Sequence, residues 1–128
     1  MKRYLLIVLV LGTFIACKKK GVSPSINVIG KWELARRYGG NILPADTAYK
    51  PGNGNILQFN ADSSFKQYTN GALTTSGTFH IYKNQLYFNT NSYNDQAFSY
   101  MISISGGLLT FKPMMPDVGT TVYDKIQN

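Results

Sequence analysis

The chain has 128 residues, a formal net charge of +7, one cysteine and one histidine. From Gly30 onward it carries eight basic and six acidic side chains, so most of the positive charge lies near the N-terminus, and no concentrated basic face is predicted for a nucleic-acid partner. A single cysteine excludes an internal disulfide, and with only one histidine it argues against a transition-metal site.

Residues 1–16 have the pattern of a secretory signal peptide. Lys2 and Arg3 form a basic start, an apolar run follows from residue 4, and the small residue Ala16 ends it. This run is too short for a transmembrane helix, which needs about 20 apolar residues. We therefore expect a cleaved signal over residues 1–16.

The tetrapeptide Phe14-Ile15-Ala16-Cys17 resembles a bacterial lipobox. The resemblance implies cleavage before Cys17 and attachment of a diacylglycerol to its thiol, which would anchor the protein to a membrane. The alternative is a buried, inert cysteine ending an apolar helix, but this would bring three lysines into a core. We expect a lipidated N-terminus and linker over residues 17–29 and one folded domain over residues 30–128.

Lys18, Lys19 and Lys20 follow the cysteine and have two interpretations. They attract an anionic membrane surface, at about 1 kcal/mol for each lysine, or they form a solvated spacer with no specific role. They match neither the aspartate that retains lipoproteins in the inner membrane nor the acidic runs that mark surface export. By this resemblance we predict a cell-envelope lipoprotein on the periplasmic face of the outer membrane.

Short runs of alternating apolar and polar residues, separated by turn residues, predict an all-β domain. This pattern fits an antiparallel sandwich or barrel. We favour a small eight-stranded up-and-down barrel, because closure removes exposed sheet edges. Residues 39–54 are predicted to form one long loop. The predicted strands are residues 31–38, 55–60, 65–69, 75–82, 86–89, 98–104, 108–112 and 120–127.

The clearest alternation lies in the sixth of these strands and predicts its register. An eight-stranded barrel is filled by its own side chains or holds one small ligand, and the sequence leaves both possibilities open. The side chains predicted to point inward are Phe98, Tyr100, Ile102 and Ile104, and those predicted to point outward are Ser99, Met101, Ser103 and His80.

Gly30-Lys31-Trp32 on the first strand matches the G-x-W signature of lipocalin-like proteins. The segments LQFNADSSFKQY, GTFHIYKNQLYF, SISGGLLTF and VYDKI follow in order. Together they resemble the small bacterial lipocalin-like lipoproteins over nearly all of residues 30–127. The resemblance implies that Gly30, Trp32 and Lys125 close one end of the barrel, with Lys125 packed over the tryptophan ring.

The same resemblance implies that the opposite, open end binds a small hydrophobic or amphipathic molecule. The first long loop of a lipocalin folds over the mouth, so Ile42, Leu43 and Tyr49 are expected to form a lid or, alternatively, to cap a solid barrel. The candidate ligand-binding residues are Leu57, Phe59, Phe79, Phe88, Phe98 and Tyr100.

No motif in the chain carries recognisable catalytic chemistry. No nucleophile elbow surrounds a serine, the acidic residues are scattered singly, and the glycine-rich PGNGN at residues 51–55 lacks the lysine and hydroxyl of a phosphate loop. We predict a non-enzyme with no cofactor and no metal. The alternative to ligand binding is a filled barrel that docks an envelope protein, for example as an inhibitor, through exposed residues such as Leu73, Met114 and Met115.

Overall fold

The computed structural model describes residues 26–41, 46–91, 99–115 and 117–127. This part of the chain is all-β, without a helix. Its nine strands are β1 (Gly30–Tyr38), β2 (Asp46–Ala48), β3 (Ile56–Phe59), β4 (Ser64–Thr69), β5 (Ala72–Tyr82), β6 (Gln85–Thr90), β7 (Ser99–Ser105), β8 (Leu108–Pro113) and β9 (Thr120–Lys125). All of them except β2 form a closed, eight-stranded antiparallel barrel, in which β9 pairs with β1. The predicted fold class is confirmed.

Strand β2 corrects the prediction of one long loop over residues 39–54. It pairs with the C-terminal part of β1, and β3 pairs with the N-terminal part along the same edge. Only residues 49–55 leave this edge between the two strands. Alternation did not reveal β2, because a three-residue strand is shorter than the window in which a period can be recognised.

Two-residue turns join three of the hairpins. Both turn residues have positive φ at Asn70-Gly71, at Lys83-Asn84 and at Gly106-Gly107. Such turns match the right-handed twist of the flanking strands, so β4 pairs with β5, β5 with β6 and β7 with β8. Much of the up-and-down order of the barrel follows from these local connections.

The predicted register of β7 is confirmed over its described residues. Ile102 is buried, and Tyr100 and Ile104 pack against the core. Met101 and Ser103 are exposed, as is His80 on β5, whereas Ser99 is half-buried. Phe98 lies outside the described residues.

The core fills the end of the barrel where β1 begins. Trp32 is 1% exposed, and the residue whose carbonyl binds its indole nitrogen, Val28, is equally buried. Val28 belongs to the segment that the sequence assigned to the linker, so packing begins upstream of β1. The buried cluster comprises Val28, Trp32, Leu57, Phe59, Phe65, Phe79, Leu86, Phe88, Ile102, Leu109 and Phe111.

Gly77 allows β5 and β6 to approach closely. It is buried, and a Cβ at this position would overlap the backbone carbonyl oxygen of Asn89. A glycine inside a strand often marks such a close approach or a tight bend. At this position the absence of a side chain is required by the packing.

A β-bulge in β1 determines which of its arginines faces the interior. Leu34 pairs with Tyr123 and Arg36 with Val122, so Ala35 is an extra residue on the β1 side. Strict alternation from Leu34 would turn Arg36 inward. Because the bulge shifts the alternation by one residue, Arg37 lines the barrel interior instead.

Candidate functional site

A cavity of about 310 Å³ opens inside the barrel at the end opposite Trp32. Each of the eight barrel strands contributes at least one lining residue, which places the cavity on the barrel axis. The lining residues are Arg37, Leu57, Phe65, Gln67, Thr75, Phe88, Thr90, Tyr100, Phe111, Thr121 and Tyr123.

The lining is layered along the barrel axis. Gln67 and Thr90 lie two residues beyond Phe65 and Phe88 on strands that run towards the mouth. The same alternation places threonines of β5 and β9 near the mouth. We call the outer layer the polar rim (Arg37, Gln67, Thr75, Thr90 and Thr121) and the inner layer the aromatic base (Phe65, Phe88 and Phe111).

Two tyrosines line the cavity beside the aromatic base. The ring centroids of Tyr100 and Tyr123 lie 5.4 Å and 5.2 Å from that of Phe111. Burial raises the pKa of Tyr123 to about 12 and also raises the pKa of Tyr100, while the positive charge of Arg37 opposes both shifts. Both hydroxyls therefore carry their protons at neutral pH and are available as hydrogen-bond donors.

Arg37 is the one charged side chain among the described residues that line the cavity. Its guanidinium carbon lies 5.9 Å from the ring centroid of Tyr49. The neighbouring Arg36 points outward, and its Nε donates a hydrogen bond of 2.8 Å to Asp46 of β2. Across the described residues this is the single salt bridge, so no described carboxylate pairs with Arg37.

A smaller cavity of about 130 Å³ adjoins the first. It shares Arg37, Leu57, Gln67 and Tyr123 with the main cavity, and Tyr49 forms part of its wall. The space around Arg37 therefore extends from the barrel axis towards the segment between β2 and β3.

The opposite end of the barrel is closed by Trp32 and its neighbours. The indole Nε1 donates a hydrogen bond of 2.7 Å to the carbonyl oxygen of Val28, and Lys125 Nζ lies 5.5 Å from the centroid of the tryptophan ring. A Cβ on Gly30 would lie 3.5 Å from Lys125 Cε, an ordinary van der Waals contact, so the lysine stem passes beside Gly30, and it is the φ of 132° that favours glycine here. The three residues that the sequence assigned to barrel-end closure thus lie together.

Comparison with protein families gives a match to the lipocalin-like domain over residues 28–111, which is more than half of the chain. The chain belongs to the lipocalin-like domain family. A comparison with curated proteins gave no match. The barrel of this lipocalin-like protein is a ligand-binding type of fold, and its ninth strand, beyond the matched region, completes the closure.

The candidate ligand-binding residues of the lipocalin-like domain divide into two groups. Leu57, Phe88 and Tyr100 line the cavity. Phe59 and Phe79 pack against each other in the core, with ring centroids 4.8 Å apart, and do not contribute to the cavity wall. Phe98 lies outside the described residues.

The sequence did not identify the polar rim. Threonine and glutamine at alternating positions are typical of any solvated strand, so no signal distinguished them. Arg37 was hidden by the bulge, because alternation from Trp32 and Leu34 predicts that Arg36 points inward.

The segment expected to form a lid is described only in part. Ile42 and Leu43 lie outside the described residues, whereas Tyr49 lies beside Arg37. The following turn is held by Glu33, whose carboxylate accepts hydrogen bonds from the amides of Gly52 (2.9 Å) and Gly54 (3.1 Å). The glycine-rich PGNGN segment therefore binds a carboxylate of the same chain, that of Glu33.

His80 is remote from the cavity. It is exposed on the outer face of the lipocalin-like barrel, where its ring stacks on Tyr87 at a centroid distance of 4.7 Å. No group of three or more potential metal ligands occurs among the residues that the structure describes. In the same part of the chain, no helix has the length and apolar character needed to cross a membrane.

Proposed function

We propose that this lipocalin-like protein binds a small hydrophobic or amphipathic molecule in its barrel cavity, as a binding protein rather than an enzyme. The observation that carries the proposal is the cavity itself, which opens at one end of a closed barrel and has an aromatic base. Its volume of about 310 Å³ lies at the lower end of the range for small-molecule sites, roughly 300–1,000 Å³. The expected ligand is correspondingly small.

A variant that fills the cavity tests the proposal directly. Thr75 on β5 lines the cavity, whereas Thr78 on the same strand is exposed on the outer face. The protein starting at Lys18 keeps every described residue and lacks the lipid attachment site. We expect it to bind N-phenyl-1-naphthylamine with a rise in fluorescence, and native mass spectrometry to detect any ligand that co-purifies.

Thr75→Trp is expected to abolish the fluorescence rise, and Thr78→Trp, as the matched control, to preserve it. Equal probe binding by both variants would place the probe outside the cavity and contradict the proposal. Near-ultraviolet circular dichroism of each variant checks that the barrel remains folded.

We further propose that the protein is held at the cell envelope by a lipid on Cys17, on the periplasmic face of the outer membrane. The support is the order of basic start, apolar run and lipobox-like tetrapeptide in residues 1–17. Mass spectrometry of the membrane fraction is expected to find a diacylated cysteine at the mature N-terminus. Cys17→Ser should release the protein from the membrane, and a mature chain that still begins at Met1 would contradict the proposal.

A protein-docking role is the second candidate, and the apolar residues beside the mouth favour it. Met114 and Met115, between β8 and β9, are 59% and 70% exposed. A photo-crosslinking residue at position 115 should capture one defined envelope protein in living cells if this face is an interface. The same residue at Lys66, exposed on β4, is the control.

A further inference from the structure

The charge of the cavity lining indicates the kind of ligand that fits it. Of the eleven described residues that line the cavity, Arg37 alone is charged, and none is acidic. Arg37 is half-buried, and no described carboxylate forms a salt bridge with its guanidinium. An anion in the cavity would pair with this positive charge.

The backbone of β1 determines that Arg37 faces the barrel interior. The bulge at Ala35 turns Arg37 inward, while Arg36 is paired with Asp46 outside the barrel. Two adjacent arginines are thus separated into one that is neutralised on the outer surface and one that faces the cavity. The Tyr49 ring lies beside the guanidinium of Arg37 and limits where it can point.

The groups around Arg37 are suited to the same anion. The charge of Arg37 acts on the hydroxyls of Tyr100 and Tyr123, and Thr121 lines the same cavity. These hydroxyls can donate hydrogen bonds to anionic oxygens. Hydrogen bonds to a charged group are roughly twice as strong as those between neutral groups.

We infer that the ligand is an anionic amphiphile whose head group, a carboxylate or a similar oxyanion, binds Arg37 at the polar rim while its short apolar part lies against the aromatic base. The inference rests on the proposed function and adds the charge and the orientation of the ligand. The layering of the lining supports this orientation, because polar residues lie towards the mouth and phenylalanines below them.

The test uses the full chain in nanodiscs of a zwitterionic phospholipid, with empty nanodiscs as the blank. Calorimetric titrations compare octanoate with octanol, which differ in charge but have the same chain length. We expect octanoate to bind about tenfold more tightly than octanol, the difference that one charge-assisted contact provides. Arg37→Met should remove this preference by lowering octanoate affinity about tenfold.

Two further variants separate charge from structure. Arg37→Lys keeps the charge and should retain the preference for octanoate, whereas Arg36→Met, which removes the outward-facing arginine, should leave both affinities unchanged. Asp95, the one acidic residue outside the described part of the chain, provides a third comparison. Asp95→Asn should also leave octanoate affinity unchanged.

The other possible results would contradict either the inference about Arg37 or the proposed function as well. Equal binding of octanoate and octanol, unaffected by Arg37→Met, would overturn the inference and leave the proposed function standing. Binding of neither compound would overturn both. A rise of about tenfold in octanoate affinity in Asp95→Asn would show that Arg37 is paired within the chain, and would also overturn the inference.

Discussion

Trp32 makes two different contacts at the closed end of the barrel. Its indole nitrogen donates to the carbonyl oxygen of Val28, which fixes the segment that precedes β1, and the face of its ring carries the Lys125 ammonium. The first contact is buried and directional. The second involves an exposed lysine whose charge remains hydrated, so we expect it to contribute less.

Truncation of these two side chains should therefore have unequal effects. Trp32→Ala should lower the free energy of unfolding by about 3–5 kcal/mol, because it leaves a cavity in the packed core. Lys125→Ala should cost only about 0.5–1 kcal/mol, as expected for a cation–π contact at an exposed site. Urea unfolding measures both values. Similar losses in the two variants would contradict this account of the closed end.

The raised pKa of Tyr123 leads to a prediction about the stability of the protein at high pH. Its pKa is raised from 10.0 to about 12 by burial, so between these pH values the folded state holds a proton that the unfolded state has released. The stabilising effect of the protonated form is complete below pH 10 and is lost as the pH rises towards 12. A shift of this size corresponds to about 2–3 kcal/mol.

The comparison of Tyr123→Phe with the wild type isolates this effect from other alkaline titrations. The two proteins should differ little in urea midpoint near pH 8. The wild type should then lose more stability than the variant as the pH increases above 10. Parallel curves for the two proteins across this range would show that the Tyr123 hydroxyl does not contribute.

At the scale of the strands, Gly77 is the position where the packing of β5 against β6 leaves no space for a side chain. Gly77→Ala should force the two strands apart and lower the free energy of unfolding by about 1–3 kcal/mol or more, the range for overpacked sites. Thr78→Ala on the outer face is the matched control and should change stability by less than about 0.5 kcal/mol. Thermal unfolding of the two variants tests this, and equal melting temperatures would show that the strands adapt without cost.

The eight barrel strands could be predicted because the sequence patterns that identify them are local. Period-two alternation and turns such as Asn70-Gly71 are visible within a few residues. Strand β2 was missed because its three residues are held by pairing with β1 and carry no apolar pattern of their own.

The inward position of Arg37 depends on one extra residue in β1, which becomes visible only when β1 is aligned with β9. This alignment joins segments about ninety residues apart in the chain, so no local pattern reports it. For a related reason, the sequence could not show whether the barrel contains a cavity. Whether side chains from eight strands fill a barrel depends on their combined volume and directions, and not on the type of any one residue.

For the whole molecule, the two ends of the described chain meet at the same end of the barrel. Val28 is bound to Trp32, and the backbone amide of Ile126 donates to the carbonyl oxygen of Lys31 at 2.9 Å. Eight residues, 18–25, separate Cys17 from the first described residue. Such a segment spans at most about 29 Å.

An anchored protein should therefore present its closed end to the bilayer. Spin labels at Asp62→Cys, in the turn between β3 and β4, and at Leu73→Cys, near the mouth, measure this orientation. The acylated Cys17 has no free thiol, so it would not take up the label. In reconstituted vesicles the label at position 62 should respond more strongly to paramagnetic lipids than the label at position 73. The opposite order would place the mouth against the membrane.

The meeting of both chain ends beside Trp32 bears on how a ligand would reach the cavity. If the closed end faces the lipid, the entrance would open to the aqueous side, and the closed end of the barrel would block lateral entry from the bilayer. A ligand would then have to cross water or be delivered by a soluble donor. The short tether would keep the protein at the membrane surface. Ligand exchange would then depend on collisions with partners from the aqueous side.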